Sequence, residues 1–186
     1  MHHKLHQMHQ GMDSDRERER TVFVTVGTTS FDSLVKAVDS TQCKEALVSK
    51  GYTNLLIQLG RGTYFPTKSS GEDGGLKVEY FTFSLNIAGF LQSAALVISH
   101  AGSGSIFETL LVNRPLIVVV NEALMDNHQS ELAEELAERK FLYCACPETL
   151  AKTIECMDLE SLLPYPPSNP MPVVQSLNQF LGFLDD

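Results

Sequence analysis

The chain has 186 residues, 43% of them hydrophobic, a length that suits one compact domain around a single substantial core. A formal net charge of -9 excludes a broad nucleic-acid surface, which needs a basic face. It does not exclude a nucleotide, because backbone dipoles can hold phosphate in an acidic protein. No apolar run approaches the length of a membrane span, Leu116 to Val120 being among the longest. The four cysteines form no CxxC pair and no secretory signal precedes them, so they read as reduced thiols in the cytosol.

Residues 1–11 (MHHKLHQMHQG) are His-rich and precede a second methionine, Met12, as a tag or leader would. Asp13 to Arg20 (DSDRERER) alternates charge without an apolar face, so residues 1–20 are expected to lie outside the fold. Order begins at Thr21. Val22 to Val26 is a β-branched run ending at Gly27, a buried strand by pattern, and Leu34, Val35 and Val38 mark a helix after it. Asn54 to Leu59 is a second strand, and Arg61 to Gly75 a loop. Lys77 to Phe81 is a third strand, Leu85 to Gln92 a helix, and Ala95 to Ser99 a fourth strand. Helix Ile106 to Val112, strand Leu116 to Val120 and helix His128 to Lys140 follow, then a short strand Phe141 to Cys144 and helix Glu148 to Met157. Such alternation predicts a Rossmann-like α/β fold, a parallel sheet with helices on both faces, over residues 21–162. Residues 163–186 open with LLPYPPSNPMP, which cannot continue a helix. Val173, Val174, Leu177, Phe180, Leu181 and Leu184 then recur at helical spacing.

Two loops at strand ends carry glycine: Gly27-Thr28-Thr29-Ser30 and Ser99 to Glu108 (SHAGSGSIFE). In an open parallel sheet, ligands sit where such loops enter helix N-termini, and glycine lets a phosphate approach the free N–H groups there. Ser103 and Ser105 add hydroxyl donors, and Glu108 could accept bonds from a vicinal diol such as ribose. A dinucleotide fingerprint fits less well, since phenylalanine (Phe107) stands where its third glycine belongs. Read from the residues alone, His100 is equally a hydrogen-bonded strand-end histidine. Glu108 is equally a first-turn carboxylate favouring the helix dipole, Asp126 an N-cap and Arg61 a solvated loop arginine.

His100 to Glu108 resembles the H-x-G-x-x-S-x-x-E core of nucleotide-sugar transferases with two Rossmann-like halves, the GT-B architecture. VGTTSFD (Val26 to Asp32), LIQLGRGT (Leu56 to Thr63), ISHAGSGS (Ile98 to Ser105) and MDNHQ (Met125 to Gln129), in that order, are similar to one family. That family is the cytosolic catalytic subunit of the two-component N-acetylglucosaminyltransferase of asparagine-linked glycosylation, the equivalent of a C-terminal, donor-binding GT-B half.

The resemblance implies an inverting transfer of GlcNAc from UDP-GlcNAc to GlcNAc-diphospho-dolichol, without cofactor or metal. Gly102, Ser103, Gly104 and Ser105 would hold the diphosphate with His100 beside them, and Gly27, Thr28 and Thr29 would close the pocket. Glu108 would take the ribose, Asn127, His128 and Gln129 would face the sugar, and uracil would lie near the Tyr80–Phe81 strand end. The other GT-B half would come from a membrane-anchored partner that recruits the chain to the cytosolic face of the endoplasmic reticulum. That partner is also the expected source of the catalytic base, with His128 as the candidate on this chain. A nucleotide-binding regulatory module without transfer activity is the competing reading. The resemblance assigns His100 and Glu108 to the donor and leaves Arg61 and Asp126 open.

Overall fold

The computed structural model describes residues 18–123 and 127–166. Its elements, in order, are β1 (Thr21–Thr25), α1 (Asp32–Asp39), α2 (Thr41–Ser49), β2 (Asn54–Gln58), β3 (Ser69–Ser70), β4 (Lys77–Phe81) and α3 (Ile87–Ser93). Then come β5 (Leu96–His100), α4 (Ser103–Leu111), β6 (Leu116–Val119), α5 (Asn127–Glu138), β7 (Tyr143–Ala145) and α6 (Leu150–Cys156). Among the described residues the strands form one sheet in the order β3-β4-β2-β1-β5-β6-β7. All pairs are parallel except β3 with β4.

Alternation along the strands builds two cores. Val22, Val24, Ile98, Ile117 and Val119 point to one face, where they meet Leu34, Val38, Leu47 and Ile154 of α1, α2 and α6. Phe23, Val97, Leu116 and Val118 point to the other, against Leu91, Ile106, Leu110, Leu132 and Leu136 of α3, α4 and α5. Successive strand residues face opposite sides, so a sheet covered on both faces must be apolar almost throughout. That is why β6 reads LIVV and is buried at every position.

The chain winds outward from β1 to β2 and β4, then crosses back to β5 on the other side of β1. The connections diverge between the carboxyl ends of β1 and β5, which opens a crevice there. This is the switch point at which open α/β sheets bind ligands.

Besides shifts of a few residues at element ends, among them α3, β7 and α6, three details depart from the sequence reading. A separate helix, α2, follows α1 directly and buries Cys43, Ala46 and Leu47 at i, i+3 and i+4. Its N-cap is Ser40, whose hydroxyl accepts from the Cys43 N–H at 3.2 Å. The loop expected over Arg61 to Gly75 contains the two-residue β3. Helix α4 begins at Ser103, three residues before the expected Ile106, with Gly102 as its N-cap.

Beyond α6, the Leu163 N–H donates to the Lys140 carbonyl at 2.8 Å. Tyr165 packs its ring on Phe141 and Phe107 at 5.3 and 6.0 Å between centroids. The apolar stripe from Val173 to Leu184, Asp126, and the leader up to residue 17 lie outside the described residues.

Candidate functional site

The two glycine loops meet at the switch point. Thr25 of β1 and Ser99 of β5 are register partners, so Gly27 and Gly102 stand a short step beyond adjacent strand ends. His100 fills the space between them. Gly27 adopts φ +65°, and a Cβ on it would lie 2.8 Å from His100 Nε2. A Cβ on Gly102 would overlap the imidazole outright. Both positions therefore exclude a side chain because a histidine occupies the space that it would need. The ring's Nε2 lies 3.2 Å from Ser105 Oγ on the first turn of α4. Burial holds the His100 pKa below its ordinary 6.5, so the imidazole is neutral at neutral pH. The histidine is thus both partnered to Ser105 and seated at the crevice floor.

Gly104 is different. A Cβ there would meet nothing within 4 Å. Among the described residues no packing contact demands a glycine, although a helical glycine costs about 0.5–1 kcal/mol relative to alanine. The Ile106 N–H donates to the Gly102 carbonyl at 3.0 Å, and no side chain caps the helix. The N–H groups of Ser103, Gly104 and Ser105 are first-turn donors of the kind that lack intrahelical acceptors, and they carry the positive end of the helix dipole. Ser103 and Gly104 are exposed. Bare backbone donors at an open position suit an anion that must come close.

Glu108 is exposed and is the sixth residue of α4, so it belongs to the second turn. The expectation of a first-turn carboxylate placed there for the dipole is corrected, since the dipole effect fades beyond one turn. At i+4 from Gly104 and i+3 from Ser105, Glu108 shares their helix face, about 6 Å along the axis from Gly104.

The β1 loop is braced from behind. Thr25 Oγ1 donates to Gln58 Oε1 at 2.6 Å and accepts from the Gly27 N–H at 3.0 Å. The Thr29 hydroxyl donates to the Val26 carbonyl at 2.9 Å, while the Thr29 carbonyl accepts from the Arg61 N–H at 2.9 Å. Thr29 is thus committed to the loop's own shape, although it is exposed as Thr28 is. Asp32 accepts from the Thr63 N–H at 3.1 Å and the Thr63 hydroxyl at 2.9 Å. Burial opposes ionisation of Asp32, but the Thr63 bonds, with help from Tyr64 and Lys36, hold its carboxyl below the ordinary value. The motifs VGTTSFD and LGRGT are therefore two halves of one brace.

Of the residues after β6, Asn127 opens α5, and His128 and Gln129 are exposed in its first turn. His128 Nδ1 lies 3.8 Å from Glu131 Oε2. The strand end expected near uracil is the end of β4, Tyr80–Phe81. Phe81 packs on Phe90 at 5.1 Å between centroids and on Phe23 at 6.3 Å, while Tyr80 lies against Phe65 and beneath Lys68. Exposed apolar side chains at that end are Phe65, against Tyr80, and Phe83 and Leu85, just past β4. Sequence reasoning passed over them because an exposed phenylalanine and a buried one carry the same letter.

Cavities elsewhere do not compete with this edge for the described chemistry. A 350 Å³ pocket between Leu110, Arg114, Phe141 and Tyr165 lies at the amino ends of the strands. A 570 Å³ groove lies between α2 and the β3–β4 connection.

Residues 21–178 match the glycosyltransferase family 28 C-terminal domain. The chain is 48% identical over 128 residues to the human UDP-N-acetylglucosamine transferase subunit ALG13, covering 68% of this chain and 11% of that protein. It is 34% identical over 183 residues to the Saccharomyces cerevisiae subunit of the same name, covering 81% of this chain and 91% of that one. It thus spans about a tenth of the human relative's length and nearly all of the yeast one's. The NMR solution structure of an ALG13 superposes with a TM-score of 0.66 at 30% identity, covering 88% of this chain and 98% of that one. MurG of Acinetobacter baumannii superposes at 0.56 with 17% identity over 78% of this chain and 43% of its own, a likeness of fold alone. With its switch-point crevice, its glycine loops and these relatives, the chain belongs to the glycosyltransferase family 28 C-terminal domain family.

Proposed function

We propose that this chain is the donor-binding, catalytic subunit of an inverting glycosyltransferase that moves GlcNAc from UDP-GlcNAc to GlcNAc-diphospho-dolichol. The observation that carries the reading is Gly104, a helical glycine with open space around it and exposed first-turn N–H donors beside it. In this reading the donor diphosphate sits on Ser103, Gly104 and Ser105, with Gly102 and His100 behind it and Gly27 and Thr28 across it. Glu108 accepts from the ribose hydroxyls on the same helix face. The base lies beside the loop leaving β4, where Phe83 is exposed, and Asn127, His128 and Gln129 face the sugar.

Negative charge grows on the leaving phosphate as the glycosidic bond breaks. N–H groups already aimed at that position stabilise it without reorganising, and this is the largest service that such a site can render. The relatives' name, a transferase subunit, supports a second half supplied by a partner, which in this reading is membrane-anchored. Among the described residues no helix is long and apolar enough to cross a membrane. The partner supplies the lipid-facing groove and the base, and holds the chain at the cytosolic face of the endoplasmic reticulum. His128, exposed and near Glu131, is the alternative base on this chain.

The test has two arms. Calorimetric titration of the purified chain should show binding of UDP-GlcNAc and UDP, and none of NAD. Membranes carrying the partner should gain transfer to the dolichol-linked acceptor when the chain is added, while the chain alone stays nearly inert, because donor and acceptor are not held together. Donor binding without any transfer in the presence of partner would instead mark a regulatory nucleotide-binding module.

A further inference from the structure

The donor site above gives no task to Arg61, yet the chain mounts this residue with care. It lies in the loop leaving β2 at the carboxyl edge of the sheet. The Gly60 N–H donates to the Thr82 carbonyl at 3.2 Å, the Arg61 N–H to Thr29 at 2.9 Å and the Gly62 N–H to Leu59 at 3.0 Å. Thr63 then donates twice to Asp32. Gly60 has φ +56°, and a Cβ on it would strike the Thr29 carbonyl; a Cβ on Gly62 would strike the Asp32 carboxylate. Of these three consecutive positions only the middle one can carry a side chain, and it carries a guanidinium.

The other described cations are occupied or elsewhere. Lys36 lies over the Tyr64 ring at 5.6 Å and Lys68 over the Tyr80 ring at 4.8 Å. Lys44, Lys77, Arg139 and Lys152 pair with carboxylates, while Arg20 and Lys50 bond to backbone carbonyls. Arg18, Arg114 and Lys140 precede β1, β6 and β7, at the opposite edge. Among the described residues, Arg61 is the exposed carboxyl-edge cation without an intramolecular partner. The backbone bond to Thr29 places it directly beside the Gly27–Thr29 loop, and neighbouring strands are only about 4.8 Å apart.

We propose that Arg61 contacts a diphosphate at this edge, either that of the bound nucleotide sugar or that of the lipid-linked acceptor. The proposal rests on the donor-site reading. A guanidinium matches two phosphate oxygens at once and keeps its charge at any working pH. The braced backbone reduces the ordering that the contact would otherwise cost.

The test compares wild type, Arg61→Gln and Arg61→Lys in the full chain. UDP is titrated calorimetrically, and the acceptor KM is measured with partner-bearing membranes at saturating UDP-GlcNAc. Thermal melting confirms that the exposed substitution leaves the fold intact. A contact to the donor weakens UDP binding by about tenfold or more in Arg61→Gln, with Arg61→Lys recovering only part. A contact to the acceptor leaves UDP binding unchanged and raises the acceptor KM by about tenfold. Changes within about twofold in both arms overturn the proposal. If wild type itself fails to bind UDP, the donor-site reading falls first and this proposal falls with it, a result separate from any behaviour of the variants.

Discussion

Replacing Gly104 with alanine separates a glycine kept for folding from one kept for a ligand. Among the described residues the new methyl group meets nothing within 4 Å, so it introduces no clash with them. A Gly→Ala change at a compatible backbone position stabilises by about 0.4–1 kcal/mol, chiefly by restricting the unfolded chain. Gly104 is the second residue of α4, where helix propensity counts less than in the interior, so the lower end applies. For a domain of this size that shifts the melting temperature upward by roughly 1–2 °C. Binding should move the other way. The methyl group stands where a phosphate oxygen must approach the N–H, and losing one charge-assisted hydrogen bond costs roughly 1.5–3 kcal/mol, or about 10- to 100-fold in affinity. The assay is a thermal melt beside a calorimetric titration with UDP-GlcNAc. Gly102→Ala serves as the contrast: its methyl overlaps the His100 ring, so both stability and binding should fall. A Gly104→Ala chain that binds donor as wild type does would refute the reasoning, and so would one that melts well below it.

Two further outcomes follow from the same edge. Glu108→Ala should weaken UDP-GlcNAc by about tenfold or more with an unchanged melt, since the carboxylate is exposed and bears no packing load. Equal affinity would leave Glu108 without a ligand role. His100 has its pKa lowered by burial from 6.5, so the unfolded chain takes up a proton that the folded chain refuses. Stability should be intact above that unfolded value and decline as pH falls from about 6.5 towards the lowered folded value. His100→Asn should remove this part of the slope in urea melts across pH 5 to 7, and an identical slope in the variant would count against a half-buried neutral imidazole.

Much of the fold was legible in the letters because burial on both faces leaves little freedom. Lys77–Phe81 has its expected bounds, and the other long strands shift by a residue or so, since β-branched runs between turn residues have few alternatives. Helix α2 was not anticipated, because its apolar positions are interleaved with Thr41, Gln42, Lys44 and Glu45 and its cap is a single serine. The start of α4 was misplaced for a related reason. Gly102, Ser103, Gly104 and Ser105 read as loop by composition, and only the packing of Ile106 and Leu110 on the sheet draws them into the first turn.

The sequence by itself determined the doubly wound class, the two glycine loops and the residue types able to meet a diphosphate. It could not say why each glycine is a glycine. Gly27 and Gly102 make room for an imidazole, Gly60 for the Thr29 carbonyl, Gly62 for the Asp32 carboxylate, and Gly104 for nothing among the described residues. These are distances between segments remote in sequence, and a letter carries no distance. Only tertiary packing, by bringing β1, β2 and β5 side by side, decided which glycines make room for a neighbour and which has open space around it.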